Sequence, residues 1–291
     1  MRRLRETAAA ALVALALLAG CTTPQAADPE ITVTGEPGEA PTLTYLTPLE
    51  VTSTYREEIW PGTGAELVEG GPVLIDFWLE NGSDASLVDE SYSTTPTPRL
   101  LTEEDLGTDL YETLRGQKVG ARLLQVSPPR GSGAVDYPTV TVLDVLPTRA
   151  DGEPMPPRPD LPAVTLDASG APSITPTGTE PPDQLVVQQV LRGAGAQVTP
   201  TDVITVQYTG FAWTTGESFD STWTHGLPVS FGLQDVQAWA EGLVDQPVGS
   251  QVMLVVPPTY ALGVTESQEL AGQTVVFVVD ILATGSPDGG S

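Results

Sequence analysis

The residues best suited to chemistry in this sequence are aromatic side chains beside one carboxylate. Tyr208, the dipeptide Phe219-Asp220 and Trp239 all lie within one stretch of 34 residues, 206–239. The sequence offers no nucleophile–base pair, has a single His and shows no cluster of metal ligands. Rings beside one acid predict a small apolar pocket with a polar edge. Such a pocket suits a compact apolar ligand that is carried on a polar chain.

Three elements must position these side chains. A half-buried strand is predicted by the alternation of Ile204, Val206 and Tyr208 on one face. A Gly-Glu-Ser turn then leads to Phe219-Asp220. Helical spacing follows at Val236, Trp239, Ala240 and Leu243. We therefore expect rings from two strands and a helix start to converge on one pocket.

Residues 186–284 resemble an FKBP-type peptidyl-prolyl cis-trans isomerase. The matching motifs are VQYTG, ESFDST, Trp239-x-x-Gly242-Leu243, VGSQVMLVVPPTYALG and TVVFVVDIL. They occur in the family's order and with nearly its spacing. The resemblance implies an α+β fold in which an antiparallel β-sheet wraps around a short helix. It also implies catalysis of Xaa-Pro isomerisation, which requires neither a cofactor nor a metal.

The resemblance implies a role for each residue of the pocket. Trp239 would form the floor on which a proline ring rests, with Tyr208, Phe219 and Phe277 as walls. The backbone N–H of Val236 would hold a substrate carbonyl, and Asp220 would orient the amide from the pocket edge. Two further substrate contacts would come from Val229 and Leu262. The family often has Tyr where Leu262 stands, and the segment before Trp239 is shorter than usual.

Two alternatives to these roles remain open. The rings could serve only as core packing, and Asp220 could bond local backbone N–H groups after its turn. The whole chain could likewise be a non-catalytic lipoprotein that binds peptides or proteins on the same scaffold.

Composition restricts the fold and the partners. The chain has 291 residues, enough for about two domains. Its 28 Pro and 29 Gly, with many Val and Thr, favour β-structure. The formal net charge of −26 argues against nucleic acid as a partner. We expect a monomer that acts on proline-containing unfolded or exported polypeptides.

An internal repeat predicts tandem FKBP-like domains. At a shift of 131 residues, the strand Val73, Ile75, Phe77 matches Ile204, Val206, Tyr208, and Asp89 matches Asp220. After a small length change, Val119-Gly120 and Pro128-Pro129 match Val248-Gly249 and Pro257-Pro258.

The first copy lacks most of the rings. It has Phe77 for Tyr208, Val88 for Phe219, Leu110 for Trp239 and Thr141 for Phe277. We expect this copy to keep the fold and to have lost the active pocket. The alternative is a live site of altered specificity. Its helix is predicted to start at Thr102-x-x-Asp105 and to stop near Gly116.

The N-terminus predicts export. A basic start with Arg2, Arg3 and Arg5 precedes an apolar run, Ala8 to Ala19. The run ends in Leu-Ala-Gly-Cys21, which resembles a bacterial lipobox whose cysteine is lipidated. We therefore expect a lipoprotein held on the extracytoplasmic face of the cell membrane by a lipid at Cys21. An ordinary secretory signal is the alternative.

The predicted organisation has six segments. Residues 147–162 contain six prolines, which favours an extended linker between the copies. The predicted segments are a signal peptide (1–20), a lipidated Cys with a tether (21–30), a degenerate FKBP-like domain (31–149), a Pro-rich linker (150–162), an isomerase domain (163–285) and a disordered tail (286–291).

Overall fold

The computed structural model describes residues 28–131, 136–260 and 272–287. Strands dominate it, with few helices. The predictions for the signal peptide, Cys21 and Leu262 lie outside the described residues, as does the tail after residue 287. No helix within the described ranges is long and apolar enough to cross a membrane.

The first half, residues 28–149, contains one helix among its strands. In chain order these elements are β1 (Thr32–Thr34), β2 (Thr42–Thr44), β3 (Tyr55–Trp60), β4 (Pro72–Asn81), β5 (Ser86–Glu90), β6 (Thr97–Leu100), α1 (Glu103–Leu114), β7 (Arg122–Ser127) and β8 (Thr139–Leu146).

The second half, residues 150–287, adds an edge strand and two short helices. In chain order these elements are β9 (Glu153–Pro154), β10 (Ala163–Leu166), β11 (Pro172–Thr175), β12 (Val186–Arg192), β13 (Val203–Ala212), β14 (Ser218–Ser221), α2 (Thr222–His225), β15 (Val229–Gly232), a 3₁₀ turn (Leu233–Asp235), α3 (Gln237–Gly242), β16 (Gln251–Val256) and β17 (Val275–Gly285).

The two halves build antiparallel sheets with the same order of strands. The first sheet runs β3-β7-β8-β4-β5, with β6 also paired to β4. The second runs β9-β12-β16-β17-β13-β14, with β15 also paired to β13. Each half also has a small separate hairpin near its start, in which Val33 faces Leu43 and Val164 faces Ile174. The predicted repeat is thus visible in the strand topology.

Strand register confirms two of the predicted correspondences. In β4, Leu79 faces Thr141 of β8 and Asp89 of β5. In β13, Gly210 occupies the same place and faces Phe277 and Asp220. Thr141 therefore stands where Phe277 does, and Asp89 stands where Asp220 does.

The central strand β13 is buried on both faces, although the sequence predicted only one. Ile204 and Val206 pack into a core beneath α3, as expected. The alternate residues Thr205 and Gln207 are also buried, at 0% and 1% exposure. A second apolar cluster, which includes Leu161 and Ile174, lies on that opposite side of the sheet. The preceding segments therefore cover the face that was expected to meet solvent.

The predicted linker is part of the second sheet. Pro154 and Glu153 pair with β12 at its open edge, and Met155 donates its N–H to the Val190 carbonyl at 2.9 Å. Leu161 is 5% exposed within the apolar cluster beside Ile174. Proline is tolerated here because an edge strand bonds on one side only. Composition predicted an extended chain correctly, but that chain is packed.

The predicted helix of the first half is confirmed at its start. The Thr102 side chain accepts the Asp105 N–H at 3.2 Å and caps α1. The helix ends at Leu114, two residues before Gly116, whose φ is 75°. Gly107, with φ 72°, interrupts the helix with a kink that the sequence pattern did not predict.

Candidate functional site

Five rings form one cluster above the helix α3. Trp239 lies at its centre, with ring centroids 5.1 Å from Tyr208, 4.8 Å from Phe231 and 5.5 Å from Phe277. Phe219 meets Phe277 edge to face at 5.8 Å. Most of these contacts are T-shaped or tilted, the arrangement that aromatic quadrupoles favour.

The cluster encloses a cavity of about 180 Å³. Its lining residues are Tyr208, Asp220, Val229, Phe231, Asp235, Val236, Trp239 and Phe277. The structure thus brings together six of the eight residues that the sequence singled out for catalysis or substrate binding. Phe219 stands behind Phe277 and does not line the cavity, and Leu262 lies outside the described residues.

Several elements bring side chains to the cavity. Tyr208 lies on β13, Asp220 on β14 and Phe277 on β17. Gly210 of β13 pairs with both Asp220 and Phe277, and this register aligns the three side chains. Gly210 is required by packing: a Cβ there would lie 2.5 Å from Cζ of Phe219. The ring wall therefore depends on a residue without a side chain.

A short hydrogen bond defines the polar edge. The Tyr208 hydroxyl donates to Oδ2 of Asp220 at 2.6 Å. Burial, and then this bond to a carboxylate, raises the pKa of Tyr208 well above its usual range. The phenol therefore stays protonated at all physiological pH values and remains a donor. Thr222 holds the strand in place, since its Oγ1 accepts the Tyr208 N–H at 2.8 Å.

Val236 links the 3₁₀ turn to α3. Its backbone is extended, with φ −128° and ψ 107°, and its carbonyl accepts the N–H groups of Trp239 and Ala240 at 2.9 Å each. Its own N–H precedes the helix, and the residue lines the cavity. The role of the Val236 N–H as a donor to substrate stays a prediction.

Sequence reasoning missed two lining residues, Phe231 and Asp235. Phe231 follows Val229 by two positions on β15, so the two side chains share one face. That alternation was the available signal, although the strand has only four residues. Asp235 ends the 3₁₀ turn and is exposed at the cavity rim. No pattern in the sequence marked it.

Among the described residues of the first half, the equivalent place has no comparable ring cluster. Val88 is 44% exposed and Asp89 is also exposed, outside the cavity of that half. Leu79 fills the position of Gly210, and Thr141 fills that of Phe277. The sheet is retained, but the residues that wall the second cavity are replaced.

Comparisons with known proteins match the second half of the chain. A family model described as FKBP-type peptidyl-prolyl cis-trans isomerase matches residues 195–282. A probable FK506-binding protein of Corynebacterium glutamicum is 37% identical over 35% of this chain and 88% of its own length. The FK506-binding protein of Streptomyces anulatus is 32% identical over 36% of this chain and 90% of its own.

A crystal structure of FkpA from Escherichia coli is also similar. It is 27% identical and covers 43% of this chain and 53% of its own, with a TM-score of 0.31. The sequence relatives and the family model establish that the chain belongs to the FKBP-type peptidyl-prolyl cis-trans isomerases, a family of enzymes that act on proline-containing polypeptides.

Proposed function

We propose that the second half accelerates Xaa-Pro isomerisation in exported polypeptides through its aromatic cavity. The single observation that carries the proposal is the cavity itself, which is floored by Trp239 and edged by the Tyr208–Asp220 pair. Its volume of about 180 Å³ suits one small apolar ring rather than a large ligand.

The physical task needs no covalent chemistry. Amide resonance opposes rotation by about 18–20 kcal/mol. An isomerase must bind the twisted amide more tightly than either planar form. The twisted amide has lost resonance and is less polar at oxygen, so an apolar enclosure stabilises it relative to water. Rings on several sides of a proline supply that enclosure.

The proposed roles follow from position. Trp239 supports the proline ring, Tyr208 and Phe277 enclose it, and Phe219 braces Phe277 from behind. The Val236 N–H holds the substrate carbonyl. Asp220, fixed by the Tyr208 hydroxyl, acts electrostatically on the amide from the edge. Val229, Phe231 and Leu262 complete the substrate contacts.

The remaining parts of the proposal concern organisation. Residues 163–285, with the packed edge segment 150–162, form the isomerase domain, and residues 31–149 form a degenerate FKBP-like domain. Residues 1–20 direct export, and a lipid on Cys21 holds the protein at the extracytoplasmic face of the membrane. The support is the strand order that both halves share and the Leu-Ala-Gly-Cys motif.

The test is the rate of cis-to-trans exchange of an Xaa-Pro peptide with full-length protein in mild detergent. We expect acceleration by wild type and near-complete loss in Trp239→Leu. The matched control is Trp78→Leu in the first half, whose indole N–H donates to Glu80 and not into the cavity. Equal exchange with wild type and with buffer would refute catalysis. If the peptide still bound, the chain would be a binding module on an isomerase scaffold.

A further inference from the structure

The first half contains a cavity of its own, larger than the aromatic one. Its volume is about 620 Å³, within the range of ligand pockets. It lies between the kinked helix α1 and the sheet. Both the sheet and the helix contribute apolar lining residues: Ile75, Phe77 and Leu79 of β4, Leu143 of β8, and Leu106 and Leu110 of α1. We call this cavity the first-half pocket.

Part of the sheet floor of the first-half pocket is polar where the equivalent surface of the second half is apolar. Register pairs Gln125 with Thr141, and Ser127 with Thr139. The same register in the second half pairs Leu254 with Phe277, and Val256 with Val275. Those four apolar residues are at most 2% exposed within the core under α3. In the first half the same surface offers hydroxyls and an amide.

Hydrogen bonds hold this polar floor in place. Thr113 of α1 donates to Oε1 of Gln125 at 2.6 Å, and Nε2 of Gln125 donates to Ser127 at 3.1 Å. Arg56 adds a further hydrogen bond to this network, since its Nε donates to Oγ1 of Thr113 at 3.0 Å. A buried amide with satisfied partners fixes side-chain positions, so the floor is an ordered surface.

Two arginines line the mouth of the pocket. Val73 faces Arg99, whereas the equivalent residue Ile204 faces Phe231. Arg99 therefore occupies the position of a ring that packs on Trp239 in the second half. Arg130 lines the same pocket. Within the described ranges, neither guanidinium has a carboxylate within the 4.0 Å of an ion pair.

The nearby acids have partners of their own. Asp109 also lines the pocket and pairs there with Arg56 at 3.1 Å, and Asp105 accepts the Leu100 N–H at 2.6 Å. Only nine Lys and Arg residues follow residue 27 in a chain of net charge −26, and two of them line this pocket. The first-half pocket is thus a local cationic site on an acidic protein.

We propose that the first-half pocket binds a polypeptide segment that carries a carboxylate side chain beside an apolar one. The guanidinium groups would pair with the carboxylate, since their planar donors match its oxygens. The apolar lining would contact the apolar neighbour, and the polar floor would form hydrogen bonds with the peptide backbone. The acidity of the whole chain disfavours long polyanions such as nucleic acid and is compatible with a single carboxylate.

The test is fluorescence anisotropy of two N-terminally labelled, C-terminally amidated, proline-free peptides, Gly-Leu-Glu-Leu-Gly and Gly-Leu-Gln-Leu-Gly, titrated with full-length protein in low salt. We expect the Glu peptide to bind on the order of tenfold more tightly, because its hydrogen bonds are charge-assisted. Arg99→Gln and Arg130→Gln should each abolish most of this difference. Arg115→Gln should preserve it, because Arg115 pairs with Glu112 away from the pocket.

Three outcomes would overturn the proposal: equal binding of both peptides, no binding of either, or equal losses in Arg99→Gln and Arg115→Gln. Arg99 and Arg130 are exposed, so the variants should fold, and their thermal unfolding midpoints check this. The proposal stands apart from catalysis because the peptides contain no proline. Trp239→Leu should leave the Glu peptide bound even where it abolishes isomerisation.

Discussion

The hydroxyl of Tyr208 donates a 2.6 Å hydrogen bond to the carboxylate of Asp220 across two neighbouring strands. A chemically similar pair exists in the first half, where the Tyr45 hydroxyl donates to Glu80 at 2.8 Å. Only the first of these pairs lines the aromatic cavity. The Tyr45–Glu80 pair therefore serves as an internal control for the contribution of the Tyr208–Asp220 hydrogen bond to catalysis.

Tyr208→Phe should lower kcat/KM for a prolyl peptide by about two- to tenfold, the effect of one lost hydrogen bond. The ring and the cavity wall remain, so the substrate should still bind. Tyr45→Phe should leave the rate unchanged. Steady-state kinetics on both variants check this, and an unaltered rate in Tyr208→Phe would mean that the bond serves packing alone.

Gly210→Ala should destabilise the second half by roughly 1–3 kcal/mol, because overpacking forces rings from their positions. The new methyl would lie 2.5 Å from Phe219 and 3.0 Å from Phe277. The first half suggests the remedy, since Leu79 takes the position of Gly210 there and Val88, a smaller residue than Phe, takes that of Phe219. Adding Phe219→Val should recover stability in urea unfolding. If the double variant were no more stable than Gly210→Ala, the clash with Phe219 would not be the cause.

The aromatic site could largely be predicted from sequence because its members stand in motifs with fixed order. Trp239 lies near a helix start, Asp220 follows a turn, and Tyr208 stands in an alternating strand. Phe231 was missed because its strand is too short for its alternation to stand out. The equivalence of Arg99 and Phe231 could not be predicted from sequence, because only the strand register shows that the two positions correspond.

The proline-rich segment at the start of the second half shows where composition misleads. Proline content indicates an extended backbone but carries no information about what that backbone contacts. The burial of Leu161 shows that this segment is packed, since Leu161 is 5% exposed and lies against Ile174 and its neighbours. A single leucine among prolines has no periodicity to reveal its burial.

Leu161→Ala should therefore destabilise the second half by about 2–4 kcal/mol, as expected for a truncated core leucine. A free linker would tolerate the change with no measurable cost. Leu166→Ala is the matched control, because Leu166 is 46% exposed. Chemical unfolding followed by tryptophan fluorescence compares the two variants, and equal small effects would show that the segment is not packed in solution.

Asp280 gives the fold a predicted dependence on pH. It is 2% exposed and accepts hydrogen bonds from the Ala150 N–H at 2.8 Å and from Gln251 at 2.7 Å. Burial raises its pKa to about 6, despite these bonds and the nearby charge of Arg149. The unfolded chain has an ordinary, lower pKa, so the folded state binds the proton more tightly.

The sign of the effect follows from linkage. The stabilisation from protonated Asp280 is fully present below the unfolded pKa, near 4, and is lost as pH rises through about 6. Asp280→Asn cannot titrate, so its free energy of unfolding should vary less between pH 4 and pH 6. The difference between wild type and variant should change by on the order of 2 kcal/mol across that window. Urea unfolding at several pH values measures it, and parallel curves would show that Asp280 titrates normally. Taking the difference removes the general effect of acid on a strongly negative chain, because both proteins share it.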